Sequence, residues 1–410
     1  MLAILTTHPI QYQVPLWRVL AADGRVPFEV WFLTRHGADV TPDKEFGRDF
    51  AWDVDPLKGY PHRFLKVNEN WDVNRFWGVR LAESLGPMIR EKGVRAVWLQ
   101  GWQVAAYWQA VRQVTAAGAS VWLRGESNDM APRPAWKRRL RRAVLGQLFR
   151  RVDHFLCIGS ANRRMYEGMG VQGDRLHMAP YCVDNARFAA QAEEIRNSKF
   201  EIRNFWRIPG DAFCVMFCGK FIAKKRPMDL VAAVRRLGNS KFGIRIPKTA
   251  HLLFVGSGEL SDVLRSQCEV VFDLENQNFH FRIPSSEFKA RPRASFTGFL
   301  NQTEIPRAYA AADCLVLPSD HGETWGLVVN EAMACGLPCV VSDACGCAED
   351  MVVPVDPALS YPCGDTDALA KSIAHTMGHH EALAARCREL VKGFDLGRTV
   401  DAVVRVWNHG

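Results

Sequence analysis

The sequence predicts an α/β protein made of two doubly wound parallel-sheet domains. Nearly unbroken apolar runs of strand length recur through both halves. Stretches with helical periodicity separate them, and one polar joint near Ala189–Ile208 divides the chain. Strands covered by helices on both faces read as continuous apolar runs rather than alternating ones. A chain of 410 residues also exceeds what a single core normally supports.

Taken in order, LAILTT, FEVWFLT, RAVWLQ, SVWLRG and DHFLCIG read as strands of a first sheet. CVMFCG, HLLFVG, CLVLPS and PCVVSD read as strands of a second. The predicted domains are 1–190 and 205–393, with a terminal helix at 394–410. The joint contains NSKFEIR (Asn197–Arg203), which returns as NSKFGIR (Asn239–Arg245). FWRIP, GIRIP and HFRIP are weaker echoes. The text between the copies is not similar, which excludes a solenoid. These segments read as loop inserts without an assigned function.

Composition is that of an ordinary globular protein, with 48% hydrophobic and 23% charged residues. No apolar run reaches the roughly 18 residues of a membrane span. The opening MLAILTTHPIQYQVPL lacks a basic segment and reads as a first strand, not a signal peptide. Of the 12 cysteines, Cys157, Cys214, Cys218, Cys314 and Cys339 sit in apolar runs. They read as buried, reduced thiols of a cytoplasmic protein. Cys335, Cys345 and Cys347 lack the convergent four-ligand spacing of a zinc site, so neither a metal nor a cofactor is expected. The net charge of +8 suits a polyanionic donor, an acidic acceptor or an anionic membrane surface. No recognition motif accompanies it, so no nucleic-acid partner is expected.

The most informative stretch is PSDHGETWGLVVNEAMACGLPCVVSD, Pro318–Asp343. It places a polar loop and a helix start at the C-terminal end of a buried strand, where open α/β sheets bind ligands. Backbone N–H groups at the helix start favour a diphosphate. Glu323 lies in the loop and Glu331 in the helix, with seven residues between them. Glu331 is placed to accept hydrogen bonds from ribose hydroxyls, and Glu323 from whatever the diphosphate carries.

These residues resemble the E-x7-E and EAMACGLP signature of the retaining GT-B glycosyltransferases of family 4, the group 1 glycosyltransferases. CVMFCGKFIAKKRPMDLVAAV (Cys214–Val234) resembles the family's phosphate-binding strand, basic loop and helix. HLLFVGSGEL (His251–Leu260) is similar to its next strand and glycine-rich turn, and SFTGFLNQTEIPRAYAAADCLVLPS (Ser295–Ser319) to the segment passing the base. APYCVDNARF (Ala179–Phe188) is similar to the end of its first domain. The resemblance implies a GT-B fold, two Rossmann-like domains facing a central cleft. It implies transfer of a sugar from a nucleotide diphospho-sugar to a glycan, lipid-linked or small-molecule acceptor. Retention of configuration without a metal is implied too. The alternative is a catalytically weak subunit that keeps the nucleotide site.

The family carries Arg and Lys where this chain has Lys220 and Lys225. Two ammonium groups supply charge for the departing diphosphate but no bidentate fork. The resemblance assigns Glu323 to the donor sugar and Glu331 to the ribose. The backbone of Thr324, Trp325, Gly326 and Leu327 is expected to face the donor, with Trp325 packing beneath the loop. Gly298 and Leu300 are expected near the base. On the acceptor side, THPIQYQVPL offers His8, Gln11 and Tyr12. His8 is either an acid/base or a helix cap. The family's active-site His has no counterpart after RAVWLQGWQ, where Gln100 stands. Glu126, in LRGESND, is the replacement base, or else it forms an ion pair with Arg124.

RPAWKRRLRRAVLGQLFRR (Arg133–Arg151) is the densest basic run. Trp136, Leu140, Val144 and Leu148 recur every four residues and predict an apolar stripe on a basic helix. Such a helix either packs on the first domain or makes peripheral contact with an anionic bilayer. The expected location is therefore cytoplasmic, with the inner membrane face included.

Overall fold

A computed structural model describes residues 1–37, 41–43, 48–50, 55–237, 248–276 and 291–409. NSKFGIR, GIRIP and HFRIP lie outside the described residues. The chain forms two compact units. The first is Met1–Thr41, Asp49–Val183 and Phe394–Gly410, and the second is Pro42–Arg48 and Asp184–Gly393.

In the first unit the strands are β1 (Leu2–Thr6), β2 (Phe28–Phe32), β5 (His62–Phe64), β6 (Ala96–Leu99), β7 (Ser120–Leu123), β8 (His154–Cys157) and β9 (Leu176–Met178). They form one sheet in the order β5-β2-β1-β6-β7-β8-β9, and β3 (Thr41–Asp43) pairs separately with β4 (Arg48–Phe50). Every adjacent pair in the large sheet is parallel. Ala3 and Leu5 enter one buried cluster, Leu2 and Ile4 the other, as the two-residue period of a strand requires. The terminal helix Leu396–His409 supplies Val400, Val403 and Trp407 to the second cluster. Thr399 Oγ donates to the Pro180 carbonyl at 2.7 Å and fixes that helix in register.

The second unit repeats the plan with β10 (Phe213–Cys218), β11 (Ala250–Val255), β12 (Glu269–Asp273), β13 (Arg293–Gly298), β14 (Cys314–Leu317), β15 (Cys339–Ser342) and β16 (Ser360–Tyr361). Their order is β12-β13-β11-β10-β14-β15-β16, again all parallel. The apolar runs do not reveal β5, β9, β12, β13 or β16. In β13 the reason is chemical, because Ser295 and Thr297 are fully buried yet polar. Ser295 Oγ lies 2.9 Å from His251 Nε2 and donates to the Trp206 carbonyl at 2.6 Å, so its polarity is satisfied inside the core.

The joint is structured. A helix spans Asn185–Glu194 and a second spans Lys199–Phe205. Residues 184–190 count with the first domain on sequence, yet they belong to the second unit. The reason is packing: the Phe188 ring lies 6.1 Å from that of Tyr309, and the Arg187 guanidinium donates to Gln302. NSKFEIR also has a purpose. Lys199 and Arg203 pair with Asp313 at 3.0 and 2.6 Å, and Asp313 accepts the Cys214 N–H at 2.8 Å. Burial opposes ionisation of Asp313, but the two cations outweigh it and hold the carboxyl below its usual range. This buried cluster pins the start of β14 to the start of β10, and both strands lead into the candidate site.

Candidate functional site

In the second unit the strand order reverses between β10 and β14, which are neighbours. Loops leaving the C-terminal ends of such a pair diverge, and the gap between them is where doubly wound sheets hold ligands. The loop after β10 carries Lys220 and Lys225, and the loop after β14 carries Glu323.

Close backbone packing shapes the first loop. A Cβ on Gly256 would lie 2.1 Å from the Gly219 carbonyl oxygen, and one on Gly258 would lie 2.7 Å from that of Phe221. Phe221 N–H donates to the Ser257 carbonyl at 2.9 Å. The glycine-rich turn after β11 thus supports the basic loop from behind. A short 3-10 turn, Ala223–Lys225, then turns the chain, and Arg226 pairs with Asp229 at 2.7 Å. The Asp320 N–H donates to the Lys224 carbonyl at 2.9 Å, joining the two loops. Lys225 Nζ donates to Glu323 Oε2, so the two predicted residues meet directly.

The second loop is equally constrained. Ser319 is fully buried, and its Oγ lies 3.5 Å from Glu323 Oε2. Trp325 is buried and donates its indole N–H to Asn330 Oδ1 at 3.1 Å, as expected of a packing residue. Gly326 has φ 108°, and a Cβ there would approach Leu317 Cδ2 to 2.7 Å. Only glycine fits, and it launches the helix Leu327–Ala334. Thr324 and Leu327, on either side, are part-exposed.

Glu331 sits on that helix and accepts a hydrogen bond from the Tyr309 hydroxyl at 2.5 Å. Burial pushes its carboxyl up to about 7, against the opposing pull of Tyr309 and Arg187. Tyr309, on the helix Ile305–Ala311, was not singled out on sequence. Its signal is its place on the buried face of that helix beside Ile305 and Ala308. Gly298, with φ 68°, ends β13, and Leu300 follows part-exposed. Both stand beyond β11, so the sheet does not bring them next to Glu323 and Lys225 as it brings those two together.

In the first unit the order reverses at β1 and β6, and His8 and Gln100 follow these two strands. The Gln100 N–H donates to the Leu5 carbonyl at 2.9 Å. His8 Nδ1 lies 2.9 Å from Thr7 Oγ, and its ring meets that of His36 at 5.0 Å. Burial, and then His36, lower its pKa to about 4, so the imidazole is neutral at pH 7. Tyr181 gathers three further residues, although sequence analysis gave it no role. Its hydroxyl donates to Glu126 at 2.6 Å, its ring meets Tyr12 at 5.8 Å, and the Arg124 guanidinium lies 4.8 Å from its centroid. Arg124 and Glu126 thus share one aromatic partner. Gln11 Oε1 is buried with no hydrogen-bond partner among the described residues.

Residues 198–391 match the family model described as glycosyl transferases group 1. The chain is 29% identical over 265 residues to a GDP-mannose-dependent alpha-mannosyltransferase of Mycobacterium tuberculosis, covering 64% of this chain and 57% of the relative. It is 26% identical over 255 residues to a D-inositol 3-phosphate glycosyltransferase of Saccharomonospora viridis, covering 60% and 55%. The chain thus spans little more than half the length of these relatives. Among solved structures, Anabaena HepE in complex with UDP superposes with a TM-score of 0.67 at 14% identity, covering 100% of both chains. Sucrose-phosphate synthase from Thermosynechococcus elongatus superposes with a TM-score of 0.66 at 18% identity, covering 100% of this chain and 98% of that one. Residues 198–391 are thus similar to the group 1 glycosyl transferases, and the chain has the two-domain α/β architecture of the GT-B fold.

Proposed function

We propose that the protein is a retaining, metal-independent glycosyltransferase that moves a sugar from a nucleotide diphospho-sugar to a hydroxyl of a glycan, lipid-linked or small-molecule acceptor. The observation that carries this reading is the Lys225–Glu323 pair at the strand-order reversal of the second unit. It combines a cation suited to a diphosphate with a carboxylate suited to sugar hydroxyls. The mannosyltransferase relative, named for its GDP-mannose donor, supports the donor class.

In this reading Lys220 and Lys225 hold the diphosphate and stabilise the charge that grows as it departs. The backbone of Thr324–Leu327 and the start of its helix add N–H donors. When Lys225 turns to phosphate, its former partner Glu323 is released to accept hydrogen bonds from the donor sugar. Ionised Glu331 accepts from the ribose diol, Tyr309 fixes its orientation, and Gly298 and Leu300 face the base. On the first unit, His8, Gln11, Tyr12 and Gln100 bind acceptor hydroxyls. Glu126, oriented by Tyr181, orients or deprotonates the attacking one. The acceptor oxygen forms its bond to the anomeric carbon on the face the diphosphate leaves, which preserves configuration.

A second reading is a nucleotide-sugar-binding subunit with little turnover, favoured by Gln100 standing where the family has a histidine. Thermal stabilisation by UDP, GDP and ADP tests the site, because a ligand of the folded state raises apparent stability by mass action. One nucleotide should stabilise the wild type and fail on Glu331→Ala. Release of nucleoside diphosphate from the matching donor then decides between the readings. Turnover abolished by Glu323→Ala supports the transferase, whereas stabilisation without turnover supports the subunit.

A further inference from the structure

The helix Ala135–Phe149 belongs to the first unit, and its two ends differ. Leu145, Leu148 and Phe149 are buried at 6%, 3% and 3% exposure. Trp136, Leu140 and Val144 are exposed at 63%, 58% and 45%. The sequence groups Leu148 with the exposed three, but a four-residue step advances about 40° around a helix. The stripe therefore winds, and its last member reaches the packed face while the first three remain outside.

Charge is concentrated in the same place. Residues 133–151 hold eight Arg and Lys and no Asp or Glu. Because the whole chain has 52 basic and 44 acidic residues, everything outside this segment balances at 44 of each. The entire net charge of +8 therefore resides on one helix and its flanks. At about 100° per residue, Lys137 borders the exposed apolar strip on one side and Arg139 on the other. Lys137 Nζ lies 5.4 Å from the Trp136 ring centroid. Behind the strip, Arg138, Arg139 and Arg142 line a groove of about 480 Å³ that also contains Asp129. Asp129 pairs with both Arg133 and Arg141, and its single charge leaves the five arginines of the groove with an excess of four.

We propose that this helix docks the protein on an anionic lipid bilayer. Trp136, Leu140 and Val144 enter the boundary between headgroups and acyl chains, Lys137 and Arg139 at the borders of the strip contact lipid phosphates, and Arg138 and Arg142 behind it add to the attraction at longer range. An apolar strip alone would suit many partners. A strip framed by cations with no acidic residue has the charge complement of a phospholipid surface. The contact lies on the first unit, far in sequence from the donor loops, and does not depend on how the donor site is read.

The test is sedimentation of the full chain with vesicles of phosphatidylglycerol and phosphatidylcholine, against vesicles of phosphatidylcholine alone. Binding is expected only with the anionic lipid. Trp136→Ser/Leu140→Ser/Val144→Ser should lower vesicle affinity by about tenfold or more, as should Lys137→Gln/Arg139→Gln/Arg142→Gln. These side chains are exposed, so both variants should keep the wild-type unfolding midpoint and nucleotide stabilisation. Quenching of tryptophan fluorescence by brominated lipid should fall in Trp136→Phe. The proposal is overturned if no vesicle binds, or if the serine variant binds as the wild type does, which would mean headgroup attraction without insertion. It is also overturned if the strip instead holds two copies together, seen as a dimer in light scattering that the serine variant abolishes.

Discussion

Lys225 donates to the Glu323 carboxylate, and this contact bridges the loops that follow β10 and β14. Neither side chain is more than about a fifth exposed, at 21% and 15%. In the transferase reading the pair is exchanged for donor contacts, so its loss should affect turnover more than folding. Glu323→Ala is expected to lower donor turnover by at least about 10²-fold. Its unfolding free energy should change by no more than ~1 kcal/mol, typical of a part-exposed pair. Steady-state kinetics beside urea titration checks this. A stability loss as large as the activity loss would make the pair purely structural.

Lys225→Ala removes a phosphate ligand and strands a carboxylate. Nucleoside diphosphate affinity is expected to drop about tenfold, while affinity for the nucleoside alone is unchanged. Calorimetric titration with both ligands separates the two.

Glu331 should impose a pH dependence on the nucleotide-free protein. Its folded pKa, about 7, lies above the ordinary value of 4.5, so the folded state holds this proton more tightly. That advantage is fully present below pH 4.5 and is lost as pH rises through 7. A shift of this size corresponds to about 1–3 kcal/mol. Glu331→Gln should remove it and make the free protein relatively more stable at pH 8. Ribose hydroxyls donate best to the ionised form, so nucleotide affinity should rise between pH 6 and 8 in the wild type and not in the variant. Denaturation and binding measured across this range test both signs.

Gly326→Ala tests the backbone beneath the site. The substitution places a methyl group against Leu317 at a φ of 108°, so strain and clash add. A loss of about 2–3 kcal/mol is expected, more than the ~1 kcal/mol of an ordinary glycine effect. Stability measured with and without nucleotide should show the bound form affected at least as strongly.

His8 gives a separate acid signature. Its folded pKa of about 4 lies below the ordinary 6.5, so stability is lost as pH falls below 6.5 toward 4. The loss between pH 7 and pH 5 should be smaller by about 1–2 kcal/mol in His8→Asn. The pH profile of turnover between 6 and 8 should be unchanged in that variant, because the wild-type imidazole is already neutral there.

Much of this protein is determined by the sequence alone. Continuous apolar runs such as CVMFCG and CLVLPS define buried parallel strands because a doubly covered strand has no polar face. The spacing of Glu323 and Glu331 around a strand–loop–helix transition places them at a strand end. Tertiary structure decided the rest. β13 is hidden in the text because Ser295 and Thr297 are polar yet buried, and Ser295 is satisfied by His251 and Trp206, both distant in sequence. Lys225 and Glu323 are 98 residues apart, and only the parallel pairing of β10 with β14 brings them together. NSKFEIR looked like an idle insert until Asp313 arrived from over a hundred residues away to pair with its Lys199 and Arg203. Trp136, Leu140, Val144 and Leu148 share a spacing but not an environment, because a helix buries only the side its neighbours cover. Local pattern fixes which side chains share a strand face or helix turn. Which groups meet, and which are left facing solvent, depends on contacts between distant segments that no local pattern encodes.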